Sequence, residues 1–190
     1  MRQLIMIVCI LCGHVLKAQD FKTNHSYMGY AITHTDTIFG KISLNLQANQ
    51  VLLKKDNSFV NFSVRDLKKV LIEKHGQEYI YYSAPFGINN EPFLFRALSD
   101  GKLPLLYREG IKFNKYEEDV LPPYFVLIGQ QVFTLGEKKE IIGLFTDHRK
   151  DIQTFIKSEN IKLKSEEDLI RVFNHYNSLG EPGEIPSTDG

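Results

Sequence analysis

The chain contains little cysteine, no tryptophan and no net charge. Its 190 residues include two cysteines, and 23 basic residues are balanced by 23 acidic ones. A protein that binds nucleic acid through the phosphates needs a basic face, and this composition supplies no excess of positive charge. The composition therefore argues against a nucleic-acid partner.

The N-terminal segment has the three parts of a secretory signal. Arg2 is followed by an apolar run over residues 4–16 and then by Ala18, a small residue at a suitable cleavage position. The run has about 13 residues, whereas a membrane-spanning helix needs roughly 20. We therefore predict a signal peptide over residues 1–18 and an exported protein, periplasmic or extracellular, with no stable membrane span after cleavage.

Both cysteines, Cys9 and Cys12, belong to this segment. After cleavage the chain would hold no disulfide, no thiolate nucleophile and no cysteine metal site. Loss of Arg2 and Lys17 would leave 21 of the 23 basic residues against 23 acidic ones, a net charge near −2. An uncleaved anchor and a lipid attached to one of the cysteines are the alternatives.

After the signal segment, the spacing of apolar residues changes once along the chain. Alternating apolar residues cut by turn residues predict an antiparallel β part over residues 27–136. Spacings of three and four predict a helical part of the same domain over residues 137–179. Strands followed by helices indicate an α+β fold, a curved antiparallel sheet of hairpins and meander with two or three C-terminal helices packed on it. Residues 19–26 are predicted to be a flexible lead and residues 180–190 a disordered tail.

Turn residues divide the β part into hairpins, and residues 84–91 are expected to form a long loop. In the helical part, the polar cluster at residues 147–151 is expected to separate two helices. Ser165 and Asp168 resemble the capping box of a last helix, which would bury Leu169, Ile170, Phe173 and Tyr176. The predicted turns are Asp56-Asn57, His75-Gly76, Asp100-Gly101 and Gly129-Gln130.

The stretch GYAITHTDTIFGKI, residues 29–42, places polar side chains between apolar ones. If Thr33 pairs with Thr37 across a three-residue loop, Ile32 faces Ile38 and the apolar residues share one side of the ribbon. A two-residue loop would mix the two sides, so the pattern favours the longer loop. Residues 34–36 are then the exposed tip of a hairpin.

His34, Asp36 and Thr37 contain the side-chain types of a hydrolase triad. Neighbouring strand residues point apart, and no G-x-S-x-G motif occurs, so we predict no catalytic residue there. The alternative is an enzyme, of the hydrolase type, whose polar residues converge only in the fold. His34, His75 and Tyr82 would be its candidates.

Metal and phosphate motifs are also missing from the sequence. No two histidines have a ligand spacing, and no glycine-rich phosphate loop occurs, so neither a metal nor a cofactor is predicted. Two histidines on apolar helix faces, His148 and His175, are interpreted as core residues. The histidines outside the signal segment are His25, His34, His75, His148 and His175.

The aromatic run Tyr79-Ile80-Tyr81-Tyr82 is the candidate for binding. In a strand, Tyr79 and Tyr81 share one face and Tyr82 lies on the other. An exposed pair of tyrosines on such a strand would line a ligand or partner groove. The alternative, which the pattern favours, is that one face packs beneath the C-terminal helices.

Three stretches in addition to GYAITHTDTIFGKI support a family resemblance: FLFRALSDGKLPLLY, YFVLIGQQVFTL and DLIRVFNHYNS. With the preceding signal, they resemble uncharacterised exported proteins of Bacteroidota over most of residues 28–178. The resemblance implies no activity, cofactor or catalytic residue. It does imply that Asp36-Thr37-Ile38 fits an O-glycosylation pattern, with Thr37 as the modified residue.

The function predicted from these observations is a non-catalytic ligand- or protein-binding module of the cell envelope. Many strands carry aromatic residues, and no catalytic or metal motif accompanies them. The partner would be an envelope protein or a small ligand.

Overall fold

The structure, a computed structural model, describes residues 25–108 and 124–179. In these residues, ten strands form one antiparallel sheet and three α-helices follow it, which confirms the predicted α+β fold. The predicted signal peptide, the tail and most of the lead lie outside the described residues. The elements are β1 Tyr27–Thr33, β2 Thr37–Asn45, β3 Gln50–Lys55, β4 Ser58–Ser63, β5 Leu67–Lys74, β6 Gln77–Phe86, β7 Glu91–Ser99, β8 Leu105–Tyr107, β9 Tyr124–Ile128, β10 Gln131–Thr134, α1 Lys138–Leu144, α2 Arg149–Ser158 and α3 Glu166–Ser178.

The sheet consists of two meanders joined by one non-sequential pairing. Its strand order is β10-β9-β8-β7-β6-β5-β1-β2-β3-β4, so β1 pairs with β5 as well as with β2. A short 3₁₀ helix, Val64–Asp66, carries the chain from β4 back to β5. Ser63 caps this helix, because its hydroxyl accepts from the Arg65 amide and its own amide donates to Asp66.

Strand β6 is covered on both faces, which explains why large apolar and aromatic residues occur at consecutive positions in its run Tyr79-Ile80-Tyr81-Tyr82. Tyr81 packs into a cluster with Val70 and Leu94 on one face, inside the curve of β1–β5. Ala84 belongs to a second cluster on the opposite face, formed by β6–β10. Alternation along the strand therefore divides its side chains between two cores.

The second cluster is built around three phenylalanines. The rings of Phe86, Phe95 and Phe125 pack edge to face, with centroids 5.0–5.9 Å apart. This is the geometry that aromatic quadrupoles favour. Because the partners come from β6, β7 and β9, the strands must curl around them, and β10 comes into contact with β6.

The register of the first hairpin differs from the prediction. Ile32 pairs with Thr37 and Ala31 with Ile38, and the Thr33 amide donates to the Asp36 carbonyl oxygen across a two-residue turn, 2.8 Å. The predicted three-residue loop is therefore wrong. The middle of the buried side of β1 carries the small residues Gly29 and Ala31, and Tyr27 packs on the same core at the start of the strand. Tyr30 and Ile32 lie on the outward side.

Two glycines explain this register. Gly29 pairs with Gly40 on the buried side. A Cβ at Gly29 would overlap the carbonyl oxygen of Leu71 in β5, and one at Gly40 would lie 2.6 Å from that of Lys54 in β3. Because neighbouring backbones approach this closely, only glycine fits at either position.

The predicted turns are present, but the predicted long loop is not. The turns at Asp56, His75 and Gly129 each contain a residue with positive φ, as hairpin turns require. Half of residues 84–91, expected to be a loop, are strand, since β6 extends to Phe86 and β7 begins at Glu91. The remaining connection is a four-residue turn.

The helices pack on β7–β9 as predicted, through a cluster that includes Phe145, Ile152 and Phe173. Ser165 caps α3, its hydroxyl accepting from the Asp168 amide at 3.2 Å. The prediction for α3 needs one correction, because Val172 is buried and Ile170 is only half-buried. No helix in residues 25–108 and 124–179 is long and apolar enough to cross a membrane.

Two polar contacts fix α3 and the helix junction to the β7–β8 connection. The Asn177 amide nitrogen donates to Ser99 Oγ and the Leu103 carbonyl oxygen, and Asn177 Oδ1 accepts from the Leu103 amide at 2.9 Å. Asp147, before α2, accepts from Lys102 Nζ at 2.6 Å and from the Tyr176 hydroxyl at 2.8 Å. These hydrogen bonds lower the pKa of Asp147 to about 2.

We predict that Asn177→Ala destabilises the fold by about 2–3 kcal/mol, because it leaves buried polar groups of Ser99 and Leu103 without a partner. Urea unfolding measures the change. Asn174→Ala is the matched control, since Asn174 is an exposed residue of the same helix. Its expected change is within about 0.5 kcal/mol. Equal effects of the two substitutions would contradict the role assigned to Asn177.

Candidate functional site

A cleft of about 640 Å³ opens on the outward face of the sheet. It lies between the ends of β1, β5 and β6 and the β9–β10 turn, with the 3₁₀ helix at its rim. Its apolar walls come from five different strands, which hold them rigidly relative to one another. The apolar lining residues are Ile32, Leu67, Ala84, Pro85, Pro92 and Leu127.

Strand pairing places the side chains of the cleft floor. Ile32 pairs with Lys69, and Lys69 pairs with Tyr82, so the three side chains stand in a row across β1, β5 and β6. The Lys69 ammonium lies 4.7 Å from the centroid of the Tyr82 ring, within the range of a cation–π contact.

Asp100, from the β7–β8 connection, ties this floor together. Its carboxylate accepts from Lys69 Nζ at 2.9 Å and also from the Tyr82 hydroxyl. Lys69 and Asp100 are 23% and 34% exposed at their side chains, so water screens the pair only in part. The network therefore fixes the orientation of the two side chains that face the cleft.

The same contacts set the charges of the three groups. Burial acts to raise the pKa of Asp100, but the hydrogen bonds from Tyr82 and Lys69 outweigh it and the pKa is lowered. Burial and the bond to Asp100 raise the pKa of Tyr82. Burial acts to lower the pKa of Lys69, but the contacts with Asp100 and Tyr82 outweigh it and the pKa is raised. At neutral pH the network therefore contains an ammonium, a carboxylate and a neutral phenol.

The charged groups lining the cleft are all cationic in the described part of the chain. Arg65, Lys68 and Lys69 face it, and no carboxylate does. Among these cations, Lys69 forms an ion pair with Asp100 at 2.9 Å. Arg65 has a longer and more exposed contact with Glu91, at 3.8 Å. The other polar lining groups are His34, Tyr82, Ser83, Asn90 and Gln130.

The structure separates the three tyrosines that the sequence singled out. Tyr82 lines the cleft, Tyr81 is buried in the cluster inside the curve of β1–β5, and Tyr79 is half-buried against the same cluster. Neither face of this run packs beneath the C-terminal helices, so that alternative is wrong. Tyr82 alone of the three is placed to contact a ligand in the cleft.

The polar tip of the first hairpin is a hydrogen-bonded turn. The Thr33 hydroxyl accepts from the amides of Thr35 and Asp36, and the Asp36 carboxylate accepts from the Thr37 amide at 2.7 Å. His34 is exposed but bends toward the 3₁₀ helix, with Nε2 3.2 Å from the Arg65 carbonyl oxygen. It therefore forms part of the rim of the cleft. Thr37 is also exposed, as the proposed modification would require.

The histidines do not converge. Thr33, next to His34, pairs with the first residue of β5, whereas His75 follows the last one, so they lie at opposite ends of that strand. His148 Nδ1 is 3.3 Å from Asp151, and the His175 ring stacks on Phe155 at 4.0 Å. No group of three or more potential metal ligands occurs in residues 25–108 and 124–179.

Sequence reasoning missed most of the site. The sequence pattern indicates Asp100 only as part of a turn, and Lys69 lies without any distinguishing signal in the predicted β part. The two are separated by 31 positions, so no local motif joins them. The only signal was period two in β6, which correctly placed Tyr82 on a different face from Tyr79 and Tyr81.

Comparison with known proteins provides no relative. No protein-family model matches the chain. No curated protein matches it. No solved structure matches it. The resemblance to exported Bacteroidota proteins therefore stays a prediction, and the geometry of the cleft carries the functional argument.

We predict that Tyr82→Phe raises the pKa of Asp100 and destabilises the fold by about 1 kcal/mol at pH 7. A carboxyl group whose pKa is lowered on folding stabilises the fold above its unfolded pKa, and this contribution disappears as the pH falls through the folded value. The difference between the wild type and the variant should therefore shrink below about pH 4. Urea unfolding at several pH values measures it.

Tyr79→Phe is the control, because its hydroxyl donates only to Gln77 among the described residues, at 3.3 Å on an exposed surface. We expect a change within about 0.5 kcal/mol at any pH. A Tyr82→Phe effect no larger than this would show that the Asp100 network does not hold the cleft floor.

Proposed function

We propose that the protein is an exported, non-catalytic binding protein that takes a small ligand into the cleft. The observation that carries this proposal is the cleft itself, about 640 Å³ with apolar walls and a few oriented polar groups. Its size falls in the range of about 300–1,000 Å³ that is typical of small-molecule sites. Its walls come from paired strands, so the site is formed before the ligand arrives.

The charge states at the floor support binding rather than proton transfer. A general base or acid works best with a pKa near the ambient pH, and a lysine nucleophile needs a lowered pKa. Lys69 and Tyr82 have raised values and Asp100 a lowered one, all away from neutrality. The Ser83 hydroxyl donates to the Val64 carbonyl oxygen at 2.6 Å and has no base beside it among the described residues.

A protein partner is the second candidate, and one surface favours it. Next to the cleft, a row of cross-strand pairs joins Phe39, Tyr30, Leu71 and Ile80 over four strands. Tyr30 and Phe39 are 45% and 48% exposed, and Met28 beside them is 41% exposed. Contiguous exposed apolar side chains commonly mark a contact surface. The cleft is preferred as the primary site because it is concave and contains oriented polar groups.

Filling the cleft tests the proposal. We predict that Ile32→Trp weakens binding of the neutral apolar dye Nile red by about tenfold or more, because the larger ring occupies part of the cleft that Ile32 lines. Dye fluorescence in a titration with protein measures the dissociation constant. Far-ultraviolet circular dichroism checks that the variant is folded.

Val60→Trp is the matched control, since it places the same ring on an exposed strand position that does not line the cleft. The control should bind the dye like the wild type. Dye binding that is unchanged in Ile32→Trp, or absent from the wild type, would contradict a ligand site in the cleft.

Export is proposed from residues 1–18. Expressed with this segment in a Gram-negative host, the protein should appear in the periplasmic fraction with Gln19 as its first residue, because Ala18 is the small residue at the cleavage site. N-terminal sequencing reads the new end, and Ala18→Arg should remain uncleaved. Cytoplasmic protein that retains Met1 would contradict export.

O-glycosylation of Thr37 is tested in a host that has the modification. Intact-mass analysis should show the added glycan on the wild type and not on Thr37→Ala, which is the control.

A further inference from the structure

We infer that the ligand of the cleft is an anionic amphiphile, a molecule with an apolar body and a carboxylate or phosphate-monoester head. This inference rests on the proposed function and names the ligand class for the same site. It follows from three observations: the division of the lining between apolar and cationic groups, the presence or absence of a close anionic partner for each cation, and a bulge in β5.

The apolar part of the cleft suits a hydrocarbon body. Ile32 and Leu127 face it from β1 and β9, and Ala84 and Pro85 from β6. None of these side chains offers a hydrogen bond. A ligand that was polar throughout would lose water contacts along these walls without replacing them.

The cationic part of the cleft contains positive charge that is not neutralised by a close carboxylate. The Lys69 ammonium is already neutralised by Asp100, which Tyr82 also holds. Arg65 has only a loose contact of 3.8 Å with Glu91, with the two side chains 68% and 55% exposed. Such an exposed pair is worth little, so an incoming anion can displace it at small cost.

Lys68 faces the cleft because the ladder of β5 is irregular beside it. Thr33 pairs with Leu67 and Ile32 with Lys69, so Lys68 has no partner in β1. This is the two-against-one arrangement of a β-bulge, which commonly turns a side chain toward a functional site. Lys68 has no ion pair in the described part of the chain.

Arg65 and Lys68 are separated by three positions and border the same cleft from the 3₁₀ helix and the start of β5. With no carboxylate lining the cleft in the described residues, the field at its mouth favours an anion and disfavours a cation. The Asn90 and Gln130 side chains face the same space and can donate further hydrogen bonds. A guanidinium and an ammonium bind carboxylate and phosphate alike, so the head is defined by this shared chemistry.

The test compares ligands of one chain length and different heads. Decanoate, decyl phosphate, decanol and decyltrimethylammonium compete with Nile red for the full chain, each below its micelle concentration. We expect one or both anions to displace the dye at concentrations at least about tenfold lower than decanol does, and the cation to be weakest. The two anionic arms show which head the site prefers.

Substitution then locates the head. The double variant Arg65→Gln and Lys68→Gln should lose the advantage of the anions over decanol while its affinity for decanol stays unchanged. Lys55→Gln with Arg149→Gln is the matched control, because it removes the same charges from exposed positions that do not line the cleft. This control should retain the preference.

The outcomes separate this inference from the proposed function. If the dye binds in the cleft but decanol competes as well as the anions, the ligand class is wrong and the cleft remains a binding site. If the anions are preferred but the control pair loses the preference equally, the effect is net charge and the assignment of Arg65 and Lys68 fails. If no ligand competes and Ile32→Trp does not alter dye binding, the proposed function fails as well.

Discussion

The close approach of strand backbones at Gly29 and Gly40 is the constraint on which the rest of the structure depends. Because no side chain fits at these two positions, the middle of the buried side of β1 carries Gly29 and then Ala31, while Tyr30 and Ile32 turn outward. That choice of register sends Ile32 to the outward face, in one row with Lys69 and Tyr82. A slip by one residue would exchange the two faces of β1 and remove Ile32 from the cleft. Two positions without a side chain thus determine which side chains form the candidate site.

The elements of the fold could be predicted from local pattern, but the register of the first hairpin could not. Turn residues and the change from alternating to helical spacing are local signals, and they indicate the β part, the helical part that follows it and the turns between strands. Counting apolar residues failed in β1, because that rule assumes that the larger side chains are buried. Here the backbone spacing excludes a side chain at Gly29, in the middle of the buried side. The expected loop over residues 84–91 is shorter than predicted, since the hairpin pairing of β6 with β7 continues to Phe86 and Glu91 and leaves only the four residues between them as a turn.

The candidate site was harder to predict than the fold because its parts meet only through the sheet. Alternation placed Tyr82 on a different face from Tyr79 and Tyr81, but it could not show which face had a core against it. Both have one, since β6 lies between the β1–β5 core and the phenylalanine cluster. The cleft lies where the second core ends, beside the β9–β10 turn. Lys69 and Asp100 come together there because one is on a strand next to β6 and the other follows β7.

The cations of the cleft differ in their pairing because burying a charge costs free energy. A buried cation without a partner would destabilise the fold, so the most buried one, Lys69, has a carboxylate partner within the protein. The more exposed Arg65 stays hydrated and can exchange water for an anion with little loss. Affinity in such a site comes mainly from the apolar walls, at about 25 cal/mol for each Å² removed from water. For the inferred ligand class, the exposed cations would contribute discrimination, where a tenfold preference for an anionic head corresponds to about 1.4 kcal/mol. A cleft arranged in this way fits the inferred ligand class, because it would bind a chain by its apolar body and distinguish its head by charge.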